Sequence, residues 1–205
     1  MIEVKSLALE FITIHSNKII HFSSANDPRW TGIQVLAPRA IMQINPIGRN
    51  DVYVIRGKLF EQGREHIREH SAGTFLTRSS DTDLSAGDEG AILFVYRDGS
   101  FMANQNMTIA PDALEWYETG TDGMRAAALS DDQYRVSLVA WKPGTKINLH
   151  AHRFGEEIFV LEGELCDQRG RYPAGTWLRL YSDESHAPYA EIDTVILLRN
   201  GHLRG

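Results

Sequence analysis

Three histidines and one glutamate have the residue types and spacing of a metal-binding set. His150, His152 and Glu156 occupy one seven-residue stretch, and His186 follows Glu156 thirty residues later. Because side chains alternate between the two faces of a β-strand, His150 and His152 point the same way. Imidazole and carboxylate groups suit a first-row divalent metal. The sequence therefore predicts one metal per chain on these four side chains: zinc or iron, with manganese and nickel as alternatives.

The neighbouring carboxylate, Glu157, competes with Glu156 for the same role. The three residues that separate His152 from Glu156 favour Glu156 as the ligand. Adjacent residues on a strand face opposite sides, so we expect Glu157 to point away from the metal. No residue is assigned a catalytic role from the sequence.

A second histidine pair lies in the N-terminal half. His66, Glu69 and His70 match the His-x-x-Glu-His pattern of one zinc peptidase family. That chemistry requires a helix, on which both histidines share a face. The segment falls between two expected strands, and we therefore interpret it as a solvated hairpin.

Composition argues against several classes of function. The chain has 205 residues, of which 42% are hydrophobic, and a formal net charge of −6. A mildly acidic chain without a run of lysine or arginine is a poor candidate for binding nucleic acid or an anionic membrane. No apolar stretch is long enough to span a bilayer. Cys166 is the single cysteine, which excludes an internal disulfide and a Cys-x-x-Cys site. We expect a soluble, cytoplasmic protein.

The elements that must position the four ligands are short strands. Apolar runs recur between Gly, Pro, Asp and Asn residues, a pattern typical of an all-β sandwich or barrel. Helical signals are weak, and Pro111–Tyr117 could begin with one turn of helix. The predicted strands contain Ile33–Leu36, Val52–Ile55, Ile92–Tyr96, Val136–Trp141, Ile158–Leu161 and Thr194–Leu198.

The two halves of the chain resemble each other. Three blocks recur in the same order at offsets of 106 or 102 residues, which indicates two copies of one β unit. The matched blocks are Val52–Leu59 with Ile158–Leu165, Ala72–Leu76 with Ala174–Leu178, and Ala91–Gly99 with Thr194–Gly201.

The predicted ligands are not duplicated. At these offsets His150, His152, Glu156 and His186 correspond to residues that are poor metal ligands, and we therefore expect a single site, in the C-terminal copy. The corresponding residues are Ile44, Pro46, Asn50 and Leu84.

The C-terminal half resembles the cupin superfamily. The first cupin motif runs from a Gly through His-x-His and Glu to a second Gly, and is matched by Gly144, the first three ligands and Gly163. The second motif, Pro-x-Gly followed by a His, is matched by Pro173, Gly175 and His186. The resemblance implies an all-β double-stranded β-helix, or jelly roll, as two tandem cupin units. Residues 1–108 would form a degenerate unit without metal ligands, and residues 109–205 a metal-binding unit.

Within that superfamily the C-terminal half is similar to the ChrR-type cupin, the sensor half of a zinc-dependent anti-sigma factor. The similarity lies in Gly155–Gly163, Tyr172–Arg179, Ser185–Pro188 and Gly201–Leu203. In that family two histidines, a glutamate and a later histidine carry the metal, which implies the same four ligands here. The resemblance implies a regulatory module that senses a small molecule or an oxidant.

An enzyme is the alternative. Two-cupin proteins of the superfamily include metal-dependent dioxygenases that cleave diketones, so the chain could be a dioxygenase for a small oxygenated compound. Six-coordinate iron or manganese would keep two positions open for this chemistry. Tetrahedral zinc would be saturated by the four ligands, and the metal would then only hold the barrel together.

The chain departs from the regulatory family outside the cupin. That family has a helical sigma-binding segment with a His and a Cys-x-x-Cys motif, and this chain has no second cysteine. The difference argues against direct sigma-factor binding. Exposed edge strands leave a homodimer by sheet extension as a candidate assembly.

Overall fold

A computed structural model describes residues 2–42, 44, 48–63, 66–79, 82–100, 106–130 and 135–203. These residues form strands joined by turns, with two single 3-10 turns at Leu9–Phe11 and Pro111–Ala113. No helix in these ranges is long and apolar enough to cross a membrane. The strands are β1 (Ile2–Ser6), β2 (Lys18–His21), β3 (Arg29–Leu36), β4 (Ile41–Met42), β5 (Arg49–Gln62), β6 (Ile67–Ser71), β7 (Phe75–Arg78), β8 (Leu84–Asp98), β9 (Met107–Ile109), β10 (Trp116–Glu118), β11 (Met124–Ser130), β12 (Arg135–Trp141), β13 (His150–Ala151), β14 (Glu156–Glu162), β15 (Glu164–Asp167), β16 (Gly170–Pro173), β17 (Thr176–Leu180), β18 (Ser185–His186), β19 (Tyr189–Ala190) and β20 (Thr194–Asn200).

The all-β prediction is confirmed, and each of the six apolar runs lies within a strand. Where the sequence has a weak helical signal, the structure has a single 3-10 turn at Pro111–Ala113, followed by a strand at Trp116–Glu118. The turn is short because aromatic residues follow closely, and these favour extended backbone.

The chain divides into two compact units. The N-terminal unit is Thr13–Ala113. Its main sheet has the strand order β2-β3-β8-β5-β7-β9, with β4 on β8 and β6 on β5. Alternate residues of these strands supply its apolar core, which includes Trp30, Val52, Val54 and Leu93.

The C-terminal unit combines Leu114–Gly205 with the first twelve residues of the chain. Its main sheet has the strand order β1-β17-β14-β20-β12-β11-β10. Two smaller sheets, β13-β18 and β16-β15-β19, complete it. Its apolar core includes Ile158, Val160, Leu178 and Ile196.

The repeat seen in the sequence is present in the hydrogen bonding. The order β3-β8-β5-β7 of the N-terminal unit corresponds to β12-β20-β14-β17 of the C-terminal unit. The register shifts between Val54 and Arg56 on β5, and it shifts at the matching place, between Val160 and Glu162, on β14. A bulge adds one residue to one strand only, so its recurrence marks two copies of the same local structure.

Glycines close both copies in the same way. Gly57 and Gly163 have φ of 83° and 72°. A Cβ on Gly57 would lie 2.2 Å from the carbonyl oxygen of Gly90, and a Cβ on Gly163 would lie 2.1 Å from that of Asp193. Only glycine tolerates this conformation together with so close an approach of another backbone.

The outer strand of the C-terminal unit comes from an unexpected part of the chain. β1, at the N-terminus, pairs with β17, with Ile2 opposite Leu180 and Ser6 opposite Thr176. β9, which precedes the C-terminal strands, pairs with β7 of the N-terminal unit. The sequence-based boundaries of 1–108 and 109–205 therefore differ from the structural units at both ends. Backbone pairing decides the assignment, because each segment covers a strand edge that would otherwise expose its polar groups.

The His-x-x-Glu-His segment is a hairpin, as predicted, but it is not fully solvated. β6 pairs with β5, with Leu59 opposite His70. His70 is buried, and its Nε2 lies 3.0 Å from Oε2 of Glu61. Arg78 donates to both oxygens of the same carboxylate. The imidazole is buried because this carboxylate and guanidinium offer it a polar partner inside the unit.

Candidate metal centre

Strand pairing places the imidazoles of His150 and His186 opposite each other. β13 and β18 are antiparallel, with His150 opposite His186. Side chains at directly opposite positions lie about 5 Å apart at Cβ. The ring centroids of these two histidines are 4.6 Å apart. The carbonyl of Asn148 lies 2.9 Å from Nδ1 of His150 and accepts its proton in the tautomer that leaves Nε2 as the ligand atom.

A tight turn brings the remaining two ligands to the same place. The N–H of Gly155 donates to the carbonyl of His152 at 3.0 Å. Gly155 has φ of 66°, and a Cβ there would lie 2.7 Å from a Leu203 side-chain atom. The turn therefore needs glycine, and it ends so that β14 begins at Glu156.

The four side chains converge. One ring nitrogen from each of His150, His152 and His186 lies within 4.8 Å of the other two. Oε2 of Glu156 is 2.9 Å from Nε2 of His152, and Oε1 is 3.2 Å from Nε2 of His186. Ligand atoms about 2.1 Å from one ion lie about 3.0–3.4 Å apart at octahedral or tetrahedral angles. The two carboxylate–imidazole distances therefore fit ligands that share one ion.

The orientations fit a shared ion better than a set of hydrogen bonds. Nε2 of His152, Nε2 of His186 and Oε1 of Glu156 are buried, and none has a hydrogen-bond partner of good geometry among the described residues. Buried polar atoms are costly without a partner. A cation at the point where they converge would satisfy all of them, so the donor set fits a divalent metal.

Electrostatics keeps the carboxylate ionised. Burial alone raises the pKa of Glu156, but the imidazoles of His152 and His186 outweigh it and lower the pKa to about 2. Pairing with Glu156 raises the pKa of His152. The glutamate is therefore an anionic donor at neutral pH, and a proton on His152 competes with a metal for the same nitrogen.

Glu157 lies on the other face of β14. It pairs with Arg179, and its Oε2 lies 3.5 Å from Nε2 of His202. Burial alone raises the pKa of Glu157, but Arg179 and His202 outweigh it and lower the pKa to about 2. Glu157, Arg179 and His202 thus form a buried polar cluster apart from the convergent set.

A cavity of about 290 Å³ adjoins the four side chains. Its walls are alternate residues of β12, β14 and β20, most of them apolar. Trp141 is buried and lines the cavity. The other polar lining residues include Tyr117, Thr119, Arg135, Ser137 and Asn200.

Sequence reasoning missed these polar residues. Arg135, Ser137 and Asn200 belong to no motif, and they meet only because β12 and β20 pair. The period-two alternation of the strands was the available signal, since it assigns Arg135, Ser137, Val139 and Trp141 to one face.

Comparison with known proteins agrees with this arrangement. Residues 104–204 match the family described as the ChrR cupin-like domain. No curated protein matches the chain by sequence.

Solved structures resemble the chain over nearly its whole length. A candidate glyoxylate-induced protein from Pseudomonas aeruginosa has a TM-score of 0.75 and 15% identity, with 98% of this chain and 85% of that chain covered. A candidate dioxygenase from Nostoc punctiforme has a TM-score of 0.72 and 12% identity, with 100% and 84% covered. Oxalate decarboxylase from Bacillus subtilis, whose Mn(II) centres have been studied, has a TM-score of 0.68 and 14% identity, with 99% and 78% covered. At these identities the likeness shows the fold. Residues 104–204 thus match the ChrR cupin-like domain, and the fold of the chain is similar to that of these solved structures.

Proposed function

We propose that the C-terminal unit holds one divalent metal on His150, His152, Glu156 and His186 and uses it to bind a small molecule. Three neutral imidazoles and one carboxylate leave a divalent ion with one net positive charge. Such an ion would be a Lewis acid at the end of the cavity. The chain's own residues orient the ligands: the Asn148 carbonyl fixes the tautomer of His150, and the turn at Gly155 sets the position of Glu156.

The observation that carries this proposal is the continuity of the cavity with the ligand set. All four proposed ligands line the same cavity of about 290 Å³ as the apolar wall residues. A metal that only holds a barrel together needs no such space. A cavity close to the usual size range for small-molecule sites favours reversible binding of a ligand.

We infer that the ligand-binding step has a sensing or regulatory role. The support is the match to the ChrR cupin-like domain, which covers the part of the chain that contains all four proposed ligands. An oxidant or a small molecule would act by altering the coordination of the metal, and with it the order of the turn that carries Glu156.

A metal-dependent dioxygenase is the second candidate. The candidate dioxygenase from Nostoc punctiforme covers the full chain at a TM-score of 0.72. The same cavity would then hold a small oxygenated substrate beside the metal. In this role the apolar wall residues would exclude bulk water, and the His150 tautomer would be held through the reaction.

The first experiment measures metal content. The purified protein is loaded separately with zinc, iron(II), manganese and nickel, dialysed, and analysed for bound metal. We expect about one ion per chain, and none after His150→Ala. The exposed His15 provides the matched control, since His15→Ala should keep full metal content. Stoichiometric metal in the His150→Ala variant would refute the site.

The second experiment separates sensor from enzyme. Oxygen consumption by the iron-loaded protein is recorded with a panel of diketones. Substrate-dependent uptake that disappears in His150→Ala would establish the enzyme and reject a purely regulatory role. Tightly held zinc without turnover in any metal form would reject the enzyme.

A further inference from the structure

Arg135, at one end of β12, lies in the same row across the sheet as the proposed metal ligand Glu156. Arg135 lies opposite Asn200 on β20, and Asn200 lies opposite Glu156 on β14. Neighbouring strands are about 4.8 Å apart, so the Cα atoms of Arg135 and Glu156 are separated by about 10 Å. A guanidinium on its flexible stem spans much of that gap. All three residues line the cavity.

The polar end of the cavity favours an anion. Glu156 is its one acidic lining residue among those the structure describes, and Arg135 is exposed at its edge. With a divalent metal on the four ligands, the net charge at this end is about +2. The guanidinium of arginine presents paired donors that match a carboxylate. Oδ1 of Asn200 is buried without a hydrogen-bond partner among the described residues; as an acceptor it suits a donor group of a ligand and not the carboxylate.

The rest of the cavity favours an apolar body. Beyond Arg135, alternate residues of β12 continue the wall through Ser137 and Val139 to Trp141, and Ile196 and Leu198 of β20 line it as well. At the far end, Nε1 of Trp141 is buried without a hydrogen-bond partner in the described structure. Trp141 is 4% exposed, so its indole N–H is shielded from solvent.

We propose that the cavity binds a small organic carboxylate with an apolar body, and that Arg135 is the residue that selects for the acid group. The carboxylate lies between the Arg135 guanidinium and the metal, and the apolar body lies along Val139, Ile196 and Leu198. This inference rests on the proposed metal-dependent binding of a small molecule. Arg135 is a specificity residue here and takes no part in holding the metal.

The test compares hexanoate with hexanamide, two probes of equal size that differ in charge. Binding to the zinc-loaded protein is followed by calorimetry and by the fluorescence of Trp141, with Trp141→Phe identifying the signal. We expect hexanoate to bind about 10–100-fold more tightly than hexanamide, the range for a charge-assisted pair. Arg135→Ala should remove the part of this preference that the guanidinium contributes and leave the part due to the metal, and Arg135→Lys should restore some of what is lost.

Two controls keep the result specific. Arg125 is exposed on the neighbouring strand β11 with its guanidinium over Trp116, away from the cavity lining. Arg125→Ala should therefore leave the preference unchanged. Metal content is measured on each variant, and Arg135→Ala should keep about one ion per chain.

The outcomes are separable from those of the proposed function. Equal binding of the two probes, no saturable binding of hexanoate at millimolar concentration, or an unchanged preference in Arg135→Ala would each overturn the inference. If His150→Ala loses its metal yet keeps Arg135-dependent hexanoate binding, the anion site stands and the metal-dependent function fails. If the protein keeps its full metal content but shows no preference for the carboxylate, the metal site stands and the anion site fails.

Discussion

On β14 of the C-terminal unit Glu156 lies opposite Leu180 and Asn200; on β5 of the N-terminal unit Asn50 lies opposite Arg78 and Arg97. The two positions are structurally equivalent, as the sequence offset indicated. The carboxylate is thus replaced by an amide, whose nitrogen donates to the Arg78 carbonyl at 3.2 Å. An amide cannot supply the charge that neutralises a divalent ion, and here its donor is already engaged.

In the N-terminal unit, the residue equivalent to His186 is not Leu84, the one indicated by the sequence offset. The N–H of Ala190 donates to the Thr145 carbonyl, and the N–H of Ala86 donates to that of Ala40. This pairing makes Ala86 the equivalent of Ala190. His186, four residues earlier, then corresponds to Thr82 rather than Leu84. A small difference in turn length before the last strand causes the shift.

The counterparts of His150 and His152 fall within residues 43–47. This stretch contains Gln43, Ile44, Asn45, Pro46 and Ile47, and no histidine. Of these, Ile44 alone is among the described residues, and it packs against the N-terminal core. Pro46, which the sequence offset matched to His152, lies outside the described residues.

The cavity is also replaced. Trp30 takes the place of Arg135 in the N-terminal unit, since it lies opposite Arg97, the counterpart of Asn200. The indole is buried, donates to Nδ1 of His21 at 2.8 Å and has the Arg97 guanidinium 5.0 Å from its ring centroid. A Cβ on Gly32, where the other copy has Ser137, would meet the indole at 2.5 Å. The same framework thus holds either a packed indole or an open pocket beside a ligand set.

The largest expected effect comes from removing the buried Trp30 side chain of the N-terminal unit. Trp30→Ala should lower the free energy of unfolding by about 3–5 kcal/mol, because a buried aromatic leaves a cavity. The equivalent change in the open copy, Arg135→Ala, should shift it by less than about 0.5 kcal/mol, because that side chain is exposed. Denaturant unfolding of both variants measures the difference. Similar losses in both would show that the two barrel ends are packed alike.

Exchanging the residues at the equivalent β14 and β5 positions tests the metal assignment. Glu156→Asn should weaken metal binding by more than about 100-fold, since removal of a ligand exceeds the 10–100-fold effect of residues that only orient one. The reciprocal Asn50→Glu should leave the stoichiometry at one ion per chain. Competition with a chelator gives the affinity. Two ions in Asn50→Glu would mean that the N-terminal unit retains a latent site.

Removing residues 1–6 tests which unit the first strand belongs to. The deletion takes the backbone partners from β17, and several lost hydrogen bonds should cost about 2–3 kcal/mol. Hydrogen exchange should lose protection at β17 and keep it at β7, whose outer partner is β9. Loss at β7 instead would assign the first strand to the other copy.

The last expected effect is a pH dependence of stability that comes from His202, a buried histidine of the C-terminal unit. Burial lowers the pKa of His202 from 6.5 to about 4. Between these pH values His202 is protonated in the unfolded chain but not in the folded protein. The free energy of unfolding should therefore fall as the pH decreases from about 6.5 to 4. His202→Gln should flatten this part of the profile, measured as the urea midpoint against pH. An unchanged slope would place the titration elsewhere, with His70, whose pKa burial also lowers, as the next candidate.

Some of this structure could be predicted from the sequence because it is local. Ligand spacing, strand alternation and the glycine turns each depend on a few adjacent residues, and the strand predictions were confirmed. The side chains of the four proposed ligands also come together as the motif indicated. The cavity wall could not be predicted in this way, because Arg135 and Asn200 meet only through β-pairing across 65 residues. The partner of β1 could not be predicted either, since a short edge strand of alternating apolar and polar residues carries no signal of which sheet it will join.

The pairing of β1 with β17 also has a consequence for synthesis of the protein. Ser6 and Thr176, joined by a hydrogen bond between their hydroxyls, are 170 residues apart in the chain. A ribosome adding 5–20 residues per second needs roughly 10–30 s to produce the second after the first. During that interval β1 has been synthesised and its partner strand β17 has not. The C-terminal unit can therefore complete its main sheet only after β17 has been synthesised, about 170 residues after β1.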